Sequence, residues 1–130
     1  MTTSPLISVR DAVKRFALRK AGLRGATMAA LDHVDITVRH GETLGVVGES
    51  GSGKSTLGRA ILRLHDLDAG TIAFEGTEIQ SLGHRDFQRY RARLQMVFQN
   101  PATSFNPAMT IEAALIDAMR LLPGGINLEA

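Results

Sequence analysis

A glycine-rich segment between an apolar run and a helical pattern constrains this chain most. Residues 48–55 read Gly-Glu-Ser-Gly-Ser-Gly-Lys-Ser and match the pattern G-x-x-x-x-G-K-[ST]. The apolar run at 43–47 precedes them and is typical of a buried parallel strand. Behind them, apolar residues recur at helical spacing from Leu57 to Leu64, which predicts a helix beginning near Lys54. This order of strand, glycine turn and helix indicates an α/β fold built around a phosphate-binding loop.

The chemistry of such a loop explains its residue types. Glycines let successive backbone N–H groups turn toward phosphate oxygens, and the positive end of the following helix faces the same anion. We predict that Lys54 reaches the β- and γ-phosphates and that the Ser55 hydroxyl ligates Mg²⁺. The alternative is a flexible Gly/Ser turn that contains a lysine by chance, and the flanking strand and helix disfavour it. The predicted nucleotide-binding residues here are Gly48, Glu49, Ser50, Gly51, Ser52, Gly53, Lys54, Ser55 and Thr56.

The rest of the chain alternates strand and helix patterns, without internal repeats. Thr110 is a candidate N-cap for the last helix, and Pro123 with the glycines after it would end that helix. The basic residues between 14 and 24 are interpreted as part of a solvated loop. We predict strands at 6–13, 31–39 and 94–98, a hairpin over 71–79 that turns near Gly76, and helices over 85–93 and 110–122.

Composition excludes several kinds of protein. The chain has 130 residues, which suits one compact domain, and no cysteine, which excludes disulfides and thiolate metal sites. Its net charge of +2 gives no argument for nucleic-acid binding. The four histidines have no metal-ligand spacing and are interpreted as surface or turn residues. No apolar run approaches the roughly 20 residues that cross a bilayer, and the first residues do not suggest a secretory signal.

Two further motifs carry a family resemblance. Residues 95–101 read Gln-Met-Val-Phe-Gln-Asn-Pro, and residues 104–107 read Ser-Phe-Asn-Pro. Together with the glycine-rich loop they resemble the ATPase subunits of ABC transporters, in the oligopeptide/dipeptide importer group. The resemblance implies an α/β P-loop NTPase fold of the ABC ATPase type, with an N-terminal antiparallel β-subdomain and an incomplete parallel core sheet. Residues 1–130 would then form the N-terminal part of one ABC ATPase domain, from the phosphate loop through the Q-loop to the start of the helical subdomain.

The resemblance also assigns roles to two residues outside the loop. Gln99 matches the glutamine of the Q-loop, which implies that its side chain approaches Mg²⁺ and the attacking water. The candidate catalytic residues are therefore Lys54 and Gln99. The candidate metal ligands are Ser55 and Gln99. Phe16 matches the aromatic that stacks on adenine, an interaction of about 1–3 kcal/mol. The alternatives are a polar residue at the end of a strand for Gln99 and a core or loop aromatic for Phe16.

Several motifs of the family do not occur in these 130 residues. No apolar strand ends in Asp followed by the catalytic Glu (the Walker B motif), and the Leu-Ser-Gly-Gly-Gln signature and late switch histidine are absent. Residues 122–126 have the leucine and glycines of the signature, but Pro123 stands where a hydroxyl is required. We therefore expect a truncated chain that does not hydrolyse ATP by itself, although the intact family member is an ATPase.

The function implied by the resemblance is that of an ATP-binding subunit of an importer, with ATP and Mg²⁺ as its cofactors. Its partners would be a second ATPase subunit, identical or different, and transmembrane permease subunits that dock near the Q-loop, at the cytoplasmic face of the cell membrane. Three alternatives stay open. One is a MgATP-binding module without catalysis, another is a non-transport ABC ATPase, and the last is an unrelated phosphate-loop kinase.

Overall fold

Four antiparallel strands form the main sheet of the protein. The computed structural model describes residues 4–18, 26–100 and 106–120, which belong to two compact units, Met1–Gly83 and His84–Ala130. The sheet lies in the first unit and has the order β2-β1-β3-β4. This confirms the strands predicted at 6–13 and 31–39 and the hairpin predicted over 71–79. The strands are β1 Ile7–Ala17, β2 Thr27–Val38, β3 Ala69–Phe74 and β4 Thr77–Glu78.

The core of the first unit lies between this sheet and one helix, α1, Lys54–Ile61. The central strand β1 pairs with both β2 and β3, and its Val9 stands opposite Ile36 of β2 and Ile72 of β3. Helix α1 contacts β2, and its buried residues lie three positions apart on one face. Burying an aliphatic or aromatic side chain contributes about 1.5–3 kcal/mol, so this small cluster holds the unit together. The buried residues are Val9, Ala12, Val13, Leu31, Leu57, Ala60, Ile72, Phe74 and Ile79.

Paired bulges interrupt the ladder between β1 and β2. Asp11 and His33 both have positive φ, at 50° and 52°, and the register shifts on either side of Ala12. The two side chains meet across the bulge, with His33 Nδ1 at 2.6 Å from Asp11 Oδ1, and the Asp11 N–H donates to Asp35 Oδ1 at 3.1 Å. Strand β3 passes close to this point at Gly70, where a Cβ would collide with the Asp11 carbonyl oxygen.

The His33–Asp11 pair makes the stability of the sheet depend on pH. The hydrogen bond to Asp11 and the charge of that carboxylate raise the pKa of His33 above its ordinary value of 6.5. The folded state therefore holds this proton more tightly, so the stabilisation is fully present below pH 6.5 and is lost as the pH rises through the folded pKa. We expect the stability difference between the wild type and His33→Gln, measured by urea unfolding, to shrink from pH 5.5 to 8.5. His84→Gln, at an exposed site, is the control, and a difference independent of pH would contradict the assignment.

Two helices form the described part of the second unit. Helix α2 covers His84–Arg91 and helix α3 covers Ile111–Arg120, which confirms the helices predicted over 85–93 and 110–122. Thr110 caps α3 as predicted, since its Oγ1 accepts a hydrogen bond from the Ala113 N–H at 3.2 Å. The predicted helix terminator at Pro123 lies outside the described residues.

Two sequence predictions about buried strands are wrong. Residues 43–47 and 94–98 form no strand, and Val47 and Val97 are 93% and 90% exposed. A parallel strand is stabilised by hydrogen bonds to neighbours on its two sides, and the sheet of the described residues is antiparallel throughout. Apolar runs alone therefore do not produce strands here. The antiparallel β-subdomain of the predicted fold is present, whereas the described ranges contain no parallel ladder.

None of the helices in the described ranges has the length and apolar character needed to cross a membrane. The longest of them, α3, has 10 residues.

Candidate functional site

The glycine-rich loop wraps around the side chain of Lys54, at the start of α1. The Lys54 ammonium donates hydrogen bonds to the carbonyl oxygens of Gly48 at 2.7 Å and Glu49 at 2.6 Å, and to Ser52 Oγ at 3.2 Å. A lysine ammonium has three N–H donors, so these contacts use its full capacity. The Ser52 N–H also donates to the Glu49 carbonyl at 3.2 Å, which closes a turn within the loop. The cation is thus held inside a ring of loop oxygens.

The first turn of α1 leaves backbone donors without helical acceptors. Its N-cap is Gly53, which has no side chain to supply a capping hydrogen bond, and the helix ladder begins with Leu57 N–H donating to Gly53 O at 2.9 Å. The N–H groups of Lys54, Ser55 and Thr56 therefore have no acceptor within the helix. No acidic residue lies in this first turn to neutralise the positive helix end. Three backbone donors at the start of α1 and one ammonium inside the adjoining loop form an arrangement suited to a polyanion.

Gly53 joins this loop to the sheet. It has φ +92°, and a Cβ on it would collide with the carbonyl oxygen of Ala30 in β2. The loop backbone therefore approaches β2 more closely than any other residue type allows. This close approach fixes where α1 begins relative to the sheet.

Gly53→Ala is expected to destabilise the first unit by about 1–3 kcal/mol, because alanine is strained at this φ and meets Ala30. Gly58→Ala is a matched control, since Gly58 lies inside α1 with open space around its Cβ position. We expect that control to stabilise by about 0.5–1 kcal/mol. The midpoint of urea unfolding measures both changes. Equal effects of the two substitutions would contradict the role assigned to Gly53.

Oxygen ligands for a hard cation are present, but they do not form a complete cage. Ser55 is exposed in the first turn of α1, and no group of three or more acidic or histidine side chains in the described ranges is placed to hold a metal. The Ser55 hydroxyl beside the glycine-rich loop nevertheless fits Mg²⁺, which prefers oxygen ligands, keeps several waters and is usually bound jointly with substrate phosphates. A single hydroxyl of this kind suits a metal whose other ligands are phosphates and water.

Phe16 lies near the end of β1, opposite Met28 of β2, and is half-buried. Its ring meets His65 edge to face, with 5.6 Å between centroids, and the Lys14 ammonium lies 5.7 Å from its centroid. The prediction that Lys14 lies in a solvated loop is wrong, whereas His65, predicted as a surface or turn residue, lies in a bend and is partly exposed. Lys14 belongs to β1 and His65 is half-buried against an aromatic ring.

Gln99 belongs to the second unit. It is exposed and follows an irregular stretch rather than the strand that was predicted. Its approach to a metal or a water stays a prediction from the family resemblance. Parts of the other family motifs lie outside the described residues. These are Pro101, Ser104, Phe105 and the signature-like residues 122–126.

Asp68 contacts strand β1 beside Phe16, and the sequence alone assigns it no role. One carboxylate oxygen accepts from Lys14 Nζ at 3.1 Å and the other from the Arg15 N–H at 2.5 Å, while the Asp68 N–H donates to Val13 O at 2.8 Å. The hydrogen bond from Arg15, followed by the one from Lys14, holds the pKa of Asp68 below its ordinary value of 3.8. No pattern in the sequence marks this contact, since it joins residues more than 50 positions apart.

Comparisons with known proteins identify the family of the chain. A family model described as ABC transporter matches residues 31–123. A putative peptide import ATP-binding protein of Brucella ovis is 41% identical over 129 residues, which cover 99% of this chain and 39% of that protein. A putative oligopeptide transport ATP-binding protein of Bacillus subtilis is 37% identical over 121 residues, which cover 93% of this chain and 36% of that protein. The chain thus spans less than two fifths of the length of these relatives.

Solved structures support the fold. The dimeric structure of a bacterial ABC transporter cassette superposes with a TM-score of 0.75 at 21% identity, over 95% of this chain and 51% of that one. The expectation of a cassette-type α/β fold is therefore confirmed, although two of its predicted strands are not formed.

Proposed function

Because the chain belongs to the ABC transporter family, we propose that its loop at 48–56 binds the triphosphate of ATP as part of the ATP-binding subunit of a peptide importer. One observation carries the proposal: the Lys54 ammonium and the uncapped start of α1 converge on the same loop. A triphosphate would supply negative charge to the first turn of α1, which has no acidic residue.

The residues of the loop would act mainly by binding and by neutralising charge. When phosphates enter, Lys54 would exchange its carbonyl partners Gly48 and Glu49 for phosphate oxygens. The N–H groups of Lys54, Ser55 and Thr56 would donate to the same phosphates. Ser55 would ligate Mg²⁺, which would supply charge neutralisation when bound. The role of Gln99 as a second ligand stays a prediction from the family resemblance.

The base and the protein partners are part of the same proposal. Phe16 would stack on the adenine ring with about 1–3 kcal/mol. Residues 1–130 would be the N-terminal part of one ATPase domain, which would pair with a second ATPase subunit and contact permease subunits through the region of Gln99. The names of the relatives, which refer to peptide import, support transport over a DNA-associated ATPase or a kinase. The subunit would then work at the cytoplasmic face of the membrane.

Calorimetric titration of the purified 130-residue chain with MgATP tests the binding proposal. We expect saturable binding with one nucleotide per chain, weakened when Mg²⁺ is removed with EDTA, since Ser55 then has no cation to ligate. Absence of a binding isotherm from a sample shown by circular dichroism to be folded would contradict the proposal. Co-purification with permease subunits tests the transport assignment separately.

A further inference from the structure

The strand that carries Phe16 has an open edge just before this residue. Strand β3 pairs with β1 only as far as Val13, which stands opposite Ala69. On the other side, β1 stays paired with β2 through Arg15, Phe16 and Ala17, after a register shift between Lys14 and Arg15. The backbone that leads into Phe16 is therefore held by a strand neighbour on one side only.

Asp68 takes the place of the missing strand neighbour. It precedes β3 and hydrogen-bonds three consecutive residues of β1: its N–H donates to Val13 O, and its carboxylate accepts from Lys14 Nζ and the Arg15 N–H. A carboxylate that accepts a backbone N–H is a charge-assisted substitute for the carbonyl of a neighbouring strand. The ladder is thus extended by two residues, up to the residue before Phe16.

The same carboxylate places a cation beside the aromatic ring. Lys14 forms an ion pair with Asp68 at 3.1 Å, and this holds its ammonium 5.7 Å from the centroid of Phe16. From another direction His65 contacts the ring edge to face. Asp68 therefore holds the backbone at Arg15, next to Phe16, while Lys14 and His65 contact the Phe16 ring itself.

We propose that Asp68 is a positioning residue for the nucleobase: it completes the open edge of β1 and so fixes the Phe16 ring for stacking on adenine. This inference rests on the proposed nucleotide binding by the chain. It adds that base recognition, and not phosphate binding, depends on an acidic residue that does not touch the ligand.

Comparison of MgATP with magnesium tripolyphosphate, which has the phosphates but no base, tests the proposal by calorimetry on the full chain. We expect Asp68→Ala to weaken ATP binding about three- to tenfold and to leave tripolyphosphate binding unchanged. Asp68→Asn keeps an oxygen that accepts from Arg15 and should lie between Asp68→Ala and the wild type. Asp66→Ala is the matched control, since Asp66 is an exposed acid two residues away. If Asp68→Ala does not fold, Asp68→Asn carries the test.

A double-mutant cycle with Phe16→Ala separates positioning from a general loss of structure. In the Phe16→Ala background, Asp68→Ala should cause no further loss of ATP affinity. The proposal is overturned by an equal loss of tripolyphosphate binding, by an unchanged ATP affinity in a folded variant, or by a full additive effect in the cycle. A wild type that binds both ligands equally well would overturn this inference and leave the loop proposal standing. A wild type that binds neither would contradict the nucleotide-binding proposal, and this inference with it.

Discussion

Lys54→Ala is expected to weaken MgATP binding by about 30- to 1,000-fold, the largest effect of any single substitution in this chain. The lysine ammonium is the one side-chain cation held inside the loop within the described ranges. A hydrogen bond to a charged group is worth about 1.5–3 kcal/mol. Lys54 is proposed to contact two phosphates but to give up its bonds to Gly48 and Glu49, so a net loss of roughly 2–4 kcal/mol is expected. Calorimetric titration with MgATP measures the change.

Arg59→Ala is the matched control for this substitution. Arg59 lies in the last turn of the same helix and is exposed. Its substitution by alanine therefore removes one positive charge without changing a residue of the loop. We expect its effect on ATP affinity to stay within about threefold, because Arg59 is exposed and salt weakens the interactions of exposed charges. Lys54→Ala also removes three hydrogen bonds of the free loop, so circular dichroism must show that the variant is folded. Unchanged ATP affinity in a folded Lys54→Ala would contradict the assignment of the loop.

ATP hydrolysis by the 130-residue chain is expected to stay at the background rate, even where ATP binds. The proposed chemistry needs a group that activates the attacking water, and the strand ending in Asp-Glu that the resemblance requires does not occur in the sequence. Loss of a general base costs about 10²- to 10⁴-fold in rate. The signature that would face the phosphates from a partner subunit is absent as well, so a dimer of this chain would not restore it.

Steady-state phosphate release by the purified chain measures this directly. Lys54→Ala is the control that separates turnover by the chain from a contaminating ATPase, since only the former depends on the loop. Phosphate release that the wild type shows and Lys54→Ala abolishes would contradict the expectation. It would also show that Gln99 or another residue in these 130 suffices to activate water.

Local patterns were enough to predict most of the secondary structure. The alternation of apolar and polar residues around Val34 and Ile36 identified β2, and helical spacing around Leu57 identified α1. Thr110 was recognised as a cap because capping depends on residues only three positions apart. These features are fixed by contacts close in sequence.

Features that depend on distant partners were not predictable in the same way. The apolar runs at 43–47 and 94–98 have the composition of buried strands, but a strand also needs hydrogen-bonding neighbours, and composition does not show whether they are present. The contact between Asp68 and β1 spans more than 50 residues and involves a charged residue that any solvated loop could carry.

The candidate site is predictable only in part, because some of its contacts also join residues that are distant in sequence. The glycine-lysine pattern locates the loop, and the structure adds that the Lys54 ammonium donates hydrogen bonds to the carbonyl oxygens of Gly48 and Glu49. The aromatic at Phe16 was proposed by resemblance alone. Its contacts with His65 and Lys14 are not predictable from the sequence, because an edge-on ring contact and an ion pair leave no local sequence signal.

The central claim is that the loop at 48–56 holds the triphosphate, and backbone amide chemical shifts test it most directly. In a ¹⁵N-labelled sample titrated with MgATP, we predict the largest shifts at the amides of residues 48–56, above all at Lys54, Ser55 and Thr56, whose N–H groups lack helical acceptors. Magnesium tripolyphosphate should shift the same amides and leave Phe16 nearly unchanged. Shifts confined to other parts of the chain, or no saturable shift in the loop, would contradict the account.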